Sequence, residues 1–117
     1  HGTWFGSPAY TPIASAPIDS DNNNRSLDLA SGARVDLAGE SNFDFEANQP
    51  FSLSAWFNST SATGFIVAKQ SNSSLTGYNI LLLNGIVRAE LVNGNSGIKV
   101  DTVNTYNNGS WQHVVVA

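Results

Sequence analysis

The chain contains no cysteine and no methionine, and little charge of either sign. Without cysteine there is no disulfide framework, thiolate metal site or thiol nucleophile. Without methionine, even at position 1, the 117 residues read as a mature or excised segment. Helix formers are scarce, with two Lys, three Glu and three Gln. Nine acidic side chains against five basic ones give a net charge of −4 and a pI near 4.7. That balance argues against nucleic acid and anionic membrane as partners. No apolar run approaches the ~18 residues of a spanning helix. The N-terminus is too polar for a signal peptide.

What is abundant is uncharged and polar: 14 Asn, 15 Ser, 7 Thr and 10 Gly. Ser, Thr and Asn bond their own backbone and so favour turns over helix interiors. Composition therefore predicts an all-β protein. A chain of this size buries about two-thirds of its surface on folding, enough for a core without staples.

The patterning agrees. Residues 1–5 read as a short strand, followed by a loop with Pro8, Pro12 and Pro17 and a polar turn over 18–25. Residues 26–30 and 33–37 form two short strands across Ser31-Gly32, each with period-2 alternation. Residues 40–50 connect, with Phe43 and Phe45 tucked under the loop. Residues 51–58 alternate most clearly, Phe51, Leu53, Ala55 and Phe57 against Ser52, Ser54, Trp56 and Asn58. Further strands cover 64–69, 78–83, 86–92, 98–103 and 111–117. Asn84-Gly85 between two apolar runs is a strong hairpin signal. About nine short strands with no helix predict an antiparallel two-sheet β-sandwich of jelly-roll type. The 111–117 strand has no charge and no Pro. It is expected to be paired on at least one side, and its free edge is a template for self-association or partner-strand pairing.

The order of Gly2-Thr3-Trp4, residues 26–37, 51–57, 66–69, 78–92 and Trp111-Gln112-His113-Val114 resembles the laminin-G-like, concanavalin A-like jelly roll. The resemblance implies one domain over 1–117, lacking terminal stretches and belonging to a larger extracellular protein. It further implies a non-catalytic recognition or adhesion module that binds glycan or a cell-surface partner. The other reading is a structural or assembly subunit of an extracellular or viral surface structure. Trp56 and Trp111 fall at packing positions of the family, and His113 at a structural one.

The chemistry read from the residues is sparse. No nucleophile elbow occurs. Glycoside hydrolysis needs two facing carboxylates, and Asp44, Glu46 and Glu40 have the wrong spacing. No catalytic residue is assigned. Aromatic rings that could stack on a pyranose are Trp4, Tyr10, Trp56, Tyr78, Tyr106 and Trp111; of these Tyr10, Tyr78 and Tyr106, the last in an Asn/Gly-rich loop, are the site candidates. Asp19, Asp21 and Asn23 alternate oxygen ligands as calcium loops do. The EF-hand pattern then fails at Asn24 and Ala30, so the expectation is weak calcium binding. Four Asn-x-Ser/Thr acceptors, at Asn24, Asn58, Asn72 and Asn108, are about what chance supplies.

Overall fold

The computed structural model describes residues 2–5, 9–12, 25–29, 32–45, 49–71 and 73–117. They group into two compact units, His1–Asp44 and Phe45–Ala117. The first holds β1 (Gly2–Phe5), β2 (Ala9–Pro12), β3 (Arg25–Asp28), β4 (Arg34–Leu37) and a 3-10 turn over Glu40–Phe43. The second holds β5 (Leu53–Phe57), β6 (Gly64–Gln70), β7 (Gly77–Leu83), β8 (Ile86–Asn93), β9 (Ser96–Thr105) and β10 (Gln112–Val116). All pairing is antiparallel, and there is no α-helix among the described residues.

In the first unit β1 pairs with β4 and β2 with β3. The strands flanking Ser31-Gly32 therefore do not pair with each other. β2 is a correction to the sequence reading, which placed its residues in a loop. Pro12 ends the strand opposite Arg25, where a two-stranded ribbon leaves an outer edge that needs no donor.

The second unit is a two-layer sandwich. β6, β7, β8 and β9 form a meander, and β5 and β10 form a ribbon over it. Two tight turns set the register. Asn84 and Gly85 both take positive φ, 52° and 85°, the twist a two-residue hairpin needs. They bring Leu83 opposite Ile86 and Asn79 opposite Glu90. Gly94, at φ 62°, turns β8 into β9 and brings Arg88 opposite Asp101 and Glu90 opposite Lys99. Period 2 then gives the meander two unlike faces.

The inner face meets the ribbon. Phe57, Ile80, Leu82 and Val87 form the buried cluster, with Leu53, Ile66, Tyr106, Val114 and Val116 packed on it. Ile80 is fully buried. As the alternation predicts, β5 points Leu53 and Phe57 inward and leaves Ser54 and Trp56 on the exposed side. Phe51 stacks on Phe45 at 4.9 Å and tilts against Tyr78 at 5.0 Å, extending the core at one end. The 111–117 strand is paired as expected, residue for residue with β5. The inner face is wider than the ribbon: Ile98 and Val100 on β9 remain 67% and 65% exposed.

Candidate functional site

The outer face of the meander carries the charge. Alternation points Arg88 and Glu90 away from Val87 and Ala89, and the hairpin registers set Asp101, Lys99 and Asn79 beside them. Opposite charges across a strand pair attract, so the register and the charges reinforce each other. Arg88 grips Asp101 with two hydrogen bonds, Nε to Oδ1 at 2.6 Å and Nη2 to Oδ2 at 2.8 Å. Its other nitrogen lies 3.6 Å from Glu90 Oε1, and Lys99 Nζ lies 3.8 Å from the same oxygen. The hydrogen bond from Arg88 holds the Asp101 carboxyl below its ordinary range, and the same bond raises the Arg88 pKa.

Asn79 is the inner member of this line and is only 2% exposed. Its Nδ2 donates to Gln70 Oε1 at 3.3 Å and to Glu90 Oε2 at 3.2 Å. Both amide hydrogens are thus used. Its Oδ1 accepts no hydrogen bond. Gln70 and Glu90 are also lining residues of a groove of about 260 Å³ at one end of this face, closed by Leu75, the Gly94-Asn95 turn and Lys99. Thr76 Oγ1 donates to Asn93 Oδ1 at 3.4 Å, tying the β6–β7 loop to that turn. A carboxylate, an ammonium, a primary amide and turn backbone thus converge on one concave surface.

The outer face of the ribbon has a different character. Trp56 and His113 are directly paired, and their rings stack at 4.6 Å with 16° between planes. Ser54 Oγ lies 2.8 Å from His113 Nε2 in a hydrogen bond. Trp56 is 37% exposed, which corrects its assignment to an interior packing position. It occupies the outward phase of β5, so the resemblance misplaced it while the alternation did not. His113 is hydrogen-bonded as expected, but on an exposed surface.

The aromatic candidates separate. Tyr78 is 7% exposed and inside the Phe45–Phe51 cluster. It is corrected from a sugar platform to a core residue, because its even-numbered position on β7 shares the phase of Ile80 and Leu82. Tyr106 is half-buried. It packs on the core and borders a cleft of about 230 Å³ with Thr102, Gln112 and Val114. Tyr10 lies on β2, and its side chain is outside the described residues, as are Asp19, Asp21 and Asn23. Among the described residues no three His, Cys, Asp or Glu side chains are placed to hold a metal ion.

Sequence reasoning missed Gln70, Asn79, Glu90 and Lys99. The signal was present in the turns. A two-residue loop at Asn84-Gly85 dictates that Asn79 faces Glu90, and one at Gly94-Asn95 dictates that Glu90 faces Lys99.

No helix among the described residues is long and apolar enough to cross a membrane. No curated protein and no solved structure matches the chain. A family model does match, over residues 29–117, and its description is the concanavalin A-like lectin/glucanases superfamily. The match runs through β4, the whole meander and the β5–β10 ribbon, so the antiparallel sandwich and the sequence family agree. The chain belongs to the concanavalin A-like lectin/glucanases superfamily.

Proposed function

We propose that the chain is a non-catalytic recognition module of an extracellular protein, and that it binds carbohydrate in the groove on the outer face of the meander. The observation that carries this reading is the groove itself, where Gln70, Glu90 and Lys99 converge beside the buried Asn79 amide, whose oxygen has no hydrogen-bond partner among the described residues. A buried acceptor left unmade costs about 1–3 kcal/mol. A hydroxyl is the ligand group best suited to the groove, since one hydroxyl donates to the Gln70 amide oxygen or the Glu90 carboxylate and accepts from Lys99 or a turn N–H. Sugars present such hydroxyls in sets, and a few convergent polar groups in a concavity are what fixes a small ligand's orientation.

The charge pattern supports binding over turnover. A retaining or inverting glycosidase needs one carboxyl with a raised pKa to act as acid. On this face Arg88 engages both carboxylates, and Asp101 is shifted the opposite way. Asp101, gripped by Arg88 and shifted downward, is unsuited to be that acid.

The test is titration calorimetry with neutral and acidic oligosaccharides against the wild type, Gln70→Ala and Lys99→Ala. Lys99 is half exposed, so its loss leaves the fold intact. Binding that weakens on the order of tenfold in each variant, equal to about 1.4 kcal/mol, supports the groove. Sugar binding unaffected by both removes it. Release of reducing ends would overturn the non-catalytic reading.

One observation favours a second reading, an assembly role. Ile98 and Val100 leave an apolar strip on the inner face that the ribbon does not cover, next to a β10 edge that pairs only with β5 among the described residues. Sedimentation over a range of concentrations separates the two readings, with Val100→Lys as comparison. Assembly that vanishes in the Lys variant, without sugar binding by either form, favours the second.

A further inference from the structure

We propose that the outer face of the β5–β10 ribbon is a second carbohydrate-binding surface, separate from the groove, where Trp56 stacks on the apolar face of a neutral pyranose. The choice of a sugar as ligand rests on the reading above; the site itself rests on different residues. Ser52, Ser54, Trp56 and Asn58 are all exposed along one edge of this face, with His113 and Val115 beside them. None carries a formal charge when His113 is neutral. An indole flanked along the chain by the Ser54 hydroxyl and the Asn58 amide has a stacking surface with hydrogen-bonding groups beside it. That pairing suits a ring with C–H groups on its face and hydroxyls at its rim.

Rigidity is the second argument. An exposed Trp on a strand ordinarily has rotamer freedom that a ligand must freeze. Here the His113 ring covers one face of the indole at 4.6 Å, and the 2.8 Å bond to Ser54 fixes the imidazole in turn. The indole is therefore held in one orientation before any ligand arrives. His113 is a positioning residue in this scheme, not a contact of the sugar. Trp faces also attract cations. However, among the described residues this face has no carboxylate to assist one, whereas the meander face has Glu90 and Asp101.

The experiment is a residue-resolved NMR titration of the labelled chain with cellotetraose, repeated with maltotetraose and with tetramethylammonium chloride. The expected result is a saccharide-dependent shift of the Trp56 indole N–H and of the Ser54 and His113 amides. That shift disappears in Trp56→Ala and falls severalfold in His113→Ala. Shifts at Gly94, Asn95 and Ser96 persist in both variants. A Trp56 indole that stays still at millimolar saccharide overturns the proposal, whether or not the groove responds. So does a shift driven by tetramethylammonium alone, which would make the face a cation site. If the groove stays silent while Trp56 responds, the groove reading fails and this one stands.

Discussion

The two outer faces of the sandwich are built by the same rule and end up opposite in character. On the meander, alternation turns Arg88, Glu90, Lys99 and Asp101 outward and the hairpin registers lock them into one ionic line. On the ribbon, alternation turns Ser54, Trp56, His113 and Val115 outward, and what locks them is ring stacking and one hydrogen bond. Sheet geometry specifies only which residues share a face. Whether that face is ionic or aromatic is free to vary, because neither set contributes to the core.

The sharpest way to break that comparison is to remove what both faces share. Ile80→Ala empties a fully buried position between the layers and should cost about 2–5 kcal/mol. Thermal unfolding should show both faces lost in one transition, with the Trp56 indole signal and the groove amides disappearing together. Separate transitions for the two faces would mean that the inner cluster does not couple them.

Next in size is a change confined to the ribbon. Trp56→Ala should abolish saccharide response there and leave groove affinity within a factor of two. Its effect on stability should be smaller than that of Ile80→Ala, because Trp56 packs chiefly on His113. Calorimetry with Gln70→Ala as the mirror experiment checks the independence of the faces, since distant sites add.

The ionic line responds to acid and the aromatic pair does not rely on a carboxylate. Asp101 has a folded pKa below its ordinary value. Its contribution to stability is therefore complete above the ordinary carboxylate range. It is lost as pH falls through the lowered folded value. Asp101 is exposed and Arg88 half-buried, so the effect is small and salt-sensitive. Asp101→Asn should flatten the acid limb of a stability profile measured at low salt. An unchanged limb would mean that Arg88 does not favour the ionised carboxylate.

Much of this architecture was legible in the sequence. The 51–58 alternation placed Phe57 in the core and Trp56 outside it. Asn84-Gly85 placed a hairpin where one exists. What escaped reading had physical reasons. β2 ends in a proline, and a rule about central strands does not apply to a two-stranded ribbon. Tyr78 reads from the sequence as a ring that could stack on a sugar, yet its phase along β7 is that of Ile80. The groove escaped because it belongs to no contiguous motif. It forms only when the β6–β7 connection and the two turns bring Gln70, Glu90 and Lys99 together from three strands, and the connection lengths contain that information while the residue types alone do not.

The central claim is that the meander's outer face binds a hydroxyl-rich ligand without transforming it. The most direct measurement is the NMR titration of the wild-type chain with a panel of oligosaccharides, observing the Asn79 side-chain amide and the Gly94, Asn95 and Ser96 backbone amides while the saccharide's own anomeric signals are followed for hours. The account predicts saturable shifts at all four residues for at least one saccharide, with its anomeric signals unchanged. Amides that stay still across the panel, or glycosidic bonds that disappear, would contradict it.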